Sequence, residues 1–192
     1  MDGNRRISLG VRASAITAGV LALLWVAPSG ASAAPLAGLG SEAAFAGNIL
    51  TVAVSAGSVV AFDLVPGQYA NGSTPATITT AWDLNPGQTG SVNLYGYFTT
   101  ASAALGGTAN IASSYVEGQM LTGTPTTYTA FTQTAPVGPA GGSLLLFSEL
   151  ITGINKIKTR SDNLNLRINL TTGLSAPVGN YTGTLKIQAR VF

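Results

Sequence analysis

Asp63 and Asp83 are the first residues to weigh, because two carboxylates a few ångströms apart are what glycoside hydrolysis requires. Each ends an alternating apolar stretch and precedes a turn. A lone Asp in that position is ordinarily turn chemistry, since its side chain bonds back to the local backbone. The chain has no His and no Cys, which removes imidazole acid–base catalysis, thiolate nucleophiles, disulfides and Cys/His metal sites together. Oxygen ligands collect at Ser161-Asp162-Asn163-Leu164-Asn165, but without calcium-loop spacing, so this reads as a turn ahead of a strand. Gly106-Gly107 and Gly141-Gly142 lack the Lys-Ser/Thr of a phosphate-binding loop. Catalytic residues, cofactor and metal are therefore expected to be absent, and the chain reads as a non-enzyme.

Binding chemistry has two candidates. Val92, Leu94 and Phe98 alternate, so Tyr95 and Tyr97 are expected on the opposite face, near the strand of Trp82. Exposed neighbouring aromatics stack on sugars or anchor an interface; equally, they are ordinary cross-strand packing. Lys156, Lys158 and Arg160 form a basic patch just ahead of the alternating run that starts at Leu164.

Charge is otherwise scarce. It makes up 8% of the 192 residues, against about 25% in ordinary soluble domains. Nine Lys and Arg are too few to neutralise a phosphate backbone, so no nucleic-acid partner is expected. Between 34 and 150 there are five acids and no base; between 151 and 192 there are six bases and one acid. Either the two portions pair within one fold, or opposite faces of separate copies attract and set register.

The elements that must position these residues begin after residue 48. Arg5, Arg6 and Arg12 precede an apolar run over 13–27, followed by Pro28 and by Ala31-Ser32-Ala33. That is the plan of a secretory signal peptide over 1–33, cut before Ala34. The run is shorter than the roughly 20 residues that cross a bilayer, so no membrane span is expected after cleavage. Export to the medium or cell surface follows, through the periplasm in a Gram-negative cell. Residues 34–48 form a small, apolar, Gly-rich arm. It reads either as a loose terminus or as an extension that docks on a neighbouring subunit.

From 49 to 192 the pattern is period-2 alternation, the mark of half-buried strands. It is clearest at 164–170 and 184–191, legible at 49–54, 58–64, 76–84 and 91–98, and weaker at 111–117, 126–132 and 143–151. Pro66-Gly67, Asn71-Gly72, Asn85-Pro86-Gly87 and Pro139-Ala140-Gly141-Gly142 separate the runs. Short strands at this spacing predict a single all-β domain, an Ig-like antiparallel sandwich with Greek-key connections.

The final 29 residues carry a resemblance. Strand 164–170, the turn Pro177-Val178-Gly179-Asn180-Tyr181-Thr182 and a last alternating strand ending on Phe192 resemble the C-terminus of secreted fimbrial subunits. The groups in question are spore coat protein U and the archaic chaperone–usher pilins, although this chain lacks Cys. The resemblance implies an assembly strand built on Leu185, Ile187, Ala189, Val191 and Phe192, read by a periplasmic chaperone. It implies a structural subunit of a pilus or filament that self-associates by strand addition. A carbohydrate-binding module using Trp82, Tyr95 and Tyr97 is the alternative expectation.

Overall fold

The computed structural model describes residues 6–13, for which only the backbone course is given, together with 48–174, 176–177 and 179–192. Alternation in sequence becomes alternation in burial. Ala76, Ile78, Thr80 and Trp82 are buried while Thr77, Thr79 and Ala81 between them are half-exposed, as expected of a strand whose successive side chains point to opposite faces.

Two sheets face each other. One is built from β1 (Arg6–Ala13), β3 (Val59–Asp63), β6 (Ser91–Tyr97), β11 (Ser143–Leu150) and β13 (Tyr181–Val191). Its order is β11-β6-β13-β1-β3, with the short strands β7 (Leu105–Gly107) and β8 (Asn110–Ile111) attached to β13. The other contains β2 (Ile49–Ala56), β5 (Ala76–Asp83), β9 (Val116–Met120), β10 (Thr129–Ala130) and β12 (Ile157–Asn169). It runs β10-β9-β12-β5-β2, and β4 (Tyr69–Asn71) joins β12. Pairing is antiparallel throughout except between β1 and β13. Along the described elements the chain stays in one sheet only from β4 to β5, from β6 through β8 and from β9 to β10, and changes sheets at every other step. The fold is thus an all-β sandwich.

The core lies between the inner faces. Phe62, Leu94, Leu185 and Ile187 come from the first sheet, Ile78, Trp82, Leu164 and Leu166 from the second, and all are almost wholly buried. Phe98 and Phe131 meet edge to face at 5.2 Å between centroids, a favoured arrangement for aromatic rings.

Three boundaries differ from the sequence reading. Strand β12 starts at Ile157, seven residues before Leu164, because Lys158, Arg160 and Asp162 continue the same alternation with charged side chains on the inner face. The presumed turn at Ser161-Asp162-Asn163 is therefore strand. Strand β13 starts at Tyr181, whose buried ring is tied by its hydroxyl to the Pro177 carbonyl at 2.9 Å. Finally, the sheet does not begin at residue 49. Arg6–Ala13, inside the segment read as a signal peptide, forms β1. The rest of that segment, its cleavage motif and arm residues 34–47 lie outside the described residues.

Candidate strand-acceptor site

Strands β3 and β13 do not pair with each other; β1 lies between them and pairs with both. Along β13 the register runs from Ser8 opposite Thr182 to Ala13 opposite Ile187, in parallel. Along β3 it runs from Arg6 opposite Asp63 to Gly10 opposite Val59, antiparallel. The two flanking strands supply the floor. Val60 and Phe62 from β3, and Leu185 and Ile187 from β13, are buried on the inner face. The sequence of β1 suits such a place, since Ile7, Leu9, Val11 and Ala13 alternate with Arg6, Ser8, Gly10 and Arg12.

The slot is longer than its occupant. Past Ile187, residues Gln188–Val191 pair with β6 on one side and with no described strand on the other. Here Gln188–Phe192, with Asn48, Leu50 and Gln88, line a cavity of about 320 Å³ between the edges of β13 and β2. The cavity's end is fixed by the terminus of the chain. Ser91 and Phe192 exchange two backbone hydrogen bonds of 3.0 Å. Gly90 makes the approach feasible: its φ is +101°, and a Cβ there would sit 1.6 Å from the Phe192 carbonyl oxygen.

The assembly strand read from sequence falls on this site. Leu185, Ile187 and Ala189 are buried, Val191 is half-buried and Phe192 is exposed at the rim. The other candidates go elsewhere. Trp82 is buried on the inner face of β5, with its indole N–H donated to the Asn155 carbonyl at 2.8 Å. Tyr95, on β6 of the opposite sheet, is 7% exposed, and Tyr97 is half-buried against Gly138. The three rings form no common platform, because Trp82 faces the core and Tyr95 is covered by its neighbours.

The basic patch is not a free surface either. Lys158 and Arg160 both bind Glu149, at 2.5 and 3.1 Å. Arg160 also clasps Asp162 through two bonds of 2.7 and 2.6 Å and stacks on Phe147, 4.1 Å from the ring centroid. Lys156 donates to the carbonyls of Asn85, Pro86 and Gln88. All three therefore have partners within one domain: the inward face of β12 brings Lys158 and Arg160 under Glu149 of β11, and Lys156 reaches the loop after β5.

Glu149, Asp162 and Glu117 are ion-pair partners. Burial raises the Asp162 pKa, but hydrogen bonds from Arg160 and Thr122 and the Arg160 charge outweigh it and hold the group below its ordinary value. Burial likewise raises Glu149, yet hydrogen bonds from Lys158 and Asn155 and the Lys158 charge bring it below the usual range. Arg160 is held above its ordinary value, chiefly by its bond to Asp162. Glu117 accepts from Arg167 at 2.5 Å and from Asn169 at 2.9 Å. Asp63 and Asp83 end strands of different sheets, so they are not the neighbours that adjacent strands would make them.

Two parts of the site escaped the sequence reading: the β3 edge, and β1 as its partner. The available signal was the alternation at Ile7, Leu9, Val11 and Ala13, masked by basic residues that equally open an export leader. No family model, curated protein or solved structure matches this chain.

Proposed function

We propose that this chain is an exported structural subunit that associates with copies of itself by strand addition, with the space between β3 and β13 as the acceptor. The observation that carries this is the source of β1. It comes from the segment with the composition of a removable leader, and among the described residues it alone joins β3 to β13. Removing it opens two rows of backbone donors and acceptors above an apolar floor. Unpaired edges of this kind take up another strand. The resemblance of 164–192 to fimbrial subunits supports the same reading. A periplasmic chaperone strand would satisfy the same groups before assembly, and the cell surface or medium is where the product acts.

The test is to express the whole gene with its own leader and examine the exported protein. The mature chain should begin at Ala34 by N-terminal sequencing. Light scattering should show concentration-dependent oligomers. Filaments, once formed, should persist at about 1 M salt, where charge screening acts within roughly 3 Å and apolar burial is not weakened. A chain that retains Met1, or one that stays monomeric at every concentration, would overturn the proposal.

A further inference from the structure

We infer that in the processed chain the vacated slot is filled first by the molecule's own residues 34–47, running parallel to β13, with Phe45 seated in the cavity between β13 and β2. This rests on the loss of the leader proposed above.

The argument starts from Asn48. Its side chain is tied on both sides, donating to the Gln88 side chain at 3.0 Å and accepting from the Asn85 backbone N–H at 2.9 Å. Asn48 also lines the cavity with Val191 and Phe192. The arm therefore leaves the fold at the open end of the slot. A chain that arrives there from residue 34 travels in the same sense as β13, which ends there. That is the sense in which β1 already pairs with β13, so the geometry of the slot accepts it.

Length permits it. From Phe192 back to Thr182 is about 33 Å of strand. Residues 34–47 extended reach roughly 46–50 Å.

The side-chain pattern fits as well. If Gly47 lies level with Val191, then Phe45 falls level with Ala189 and Ala43 with Ile187, both buried positions of β13. In that extended register Leu39, Ala43 and Phe45 would share one side of the arm, and Phe45 is the sole aromatic in 34–47. The apolar part of the cavity's lining, which would meet the ring, is Leu50, Ala189, Val191 and Phe192. On the other side of the arm, Glu42 falls level with Lys186. Glu42 is the only acid of the arm, and Lys186 makes no ion pair among the described residues.

The consequence for assembly is an exchange. An arm that closes its own slot can open and enter the slot of the next copy through the same contacts, which is how domain-swapped chains associate.

The absence of Cys makes a clean test possible. The full gene carrying Gly40→Cys and Thr184→Cys is expressed, and the exported protein is oxidised at low concentration. Most molecules should carry one intramolecular disulfide, seen as a shifted monomer on a non-reducing gel. A control pairing Gly40→Cys with Thr159→Cys, on the outer face of the other sheet, should stay reduced. Separately, Phe45→Ala should lower the Tm by roughly 6–12 °C, while Ala44→Ser should leave it unchanged. Disulfide-linked dimers and ladders without linked monomer, at every dilution, would place the arm only on neighbours. That overturns this inference and leaves strand addition standing. No link of either kind, with Phe45→Ala melting like the unsubstituted chain, overturns it as well. An intact mass that includes Met1 would instead strike at the function proposed above.

Discussion

Arg160 and Asp162 stand two residues apart on β12, on one face, and the guanidinium grips both carboxylate oxygens at 2.6 and 2.7 Å. Asp162 is 1% exposed, so its charge is maintained by this fork and by the Thr122 hydroxyl at 2.7 Å. The pair marks the point where the inner face of the second sheet changes from apolar to charged. Glu149 of the first sheet closes over it.

Stability should therefore fall in acid. The folded-state pKa values of Asp162 and Glu149 are both depressed. A depressed carboxylate contributes stability that is present above its unfolded pKa and is lost as pH falls through the folded one. The expected outcome is a Tm that holds above about pH 5 and declines steadily below about pH 4. Melting curves followed by circular dichroism across that range check it. Asp162→Asn should lower the neutral-pH stability by roughly 3 kcal/mol and flatten part of the acid decline.

Changing Lys156, Lys158 and Arg160 together to Gln should lower the Tm of the single subunit. Their partners are Glu149, Asp162 and the carbonyls of the loop at 85–88. A triple variant that melts normally but assembles slowly would mean that these charges serve contacts between copies.

Leu166→Asp and Ile187→Asp should each unfold the domain. Both positions are at most 2% exposed, and an unpaired buried carboxylate costs several kcal/mol. Arg167→Ala on the opposite face is not neutral. Its guanidinium lies between the rings of Tyr69 and Tyr128, at 3.9 and 4.0 Å from their centroids, while binding Glu117. A loss of about 1–3 kcal/mol is expected in urea unfolding.

Gly90→Ala should loosen the end of the acceptor slot. The new methyl group meets the Phe192 carbonyl at a backbone angle that L-residues avoid. Hydrogen exchange at the Ser91 and Phe192 amides should quicken at least tenfold, with amides at the centre of β5 unaffected.

The sandwich was legible because its inner faces obey simple alternation. Leu164, Leu166 and Ile168 on β12, and Leu185, Ile187 and Ala189 on β13, fell where the pattern placed them. Reading failed where alternation carried the wrong chemistry. Lys158, Arg160 and Asp162 continue the inward register of β12, yet charged residues signal surface, and only the nearness of Glu149 from a distant strand explains them. Tyr95, expected to be exposed, is covered, since burial across a face depends on neighbours that a single strand does not reveal. Residues 6–13 carry two meanings at once, a basic leader start and a strand, and composition favoured the first.

The strands at the middle of both sheets, β12 and β13, are the last to be made. Until they emerge, β5 and β9 have nothing to join them, and β6 has a partner on one side only. The acids before residue 150 also wait for their partners: Glu117 and Glu149 are held only by residues from 155 onward among their described ion pairs and hydrogen bonds. A growing chain therefore has no closed core to form before its carboxyl end is free. Such a polypeptide stays without its closed core until those two strands are complete. A chain stalled on the ribosome before β13 has emerged should be digested by protease as readily as an unfolded one, while the released chain resists.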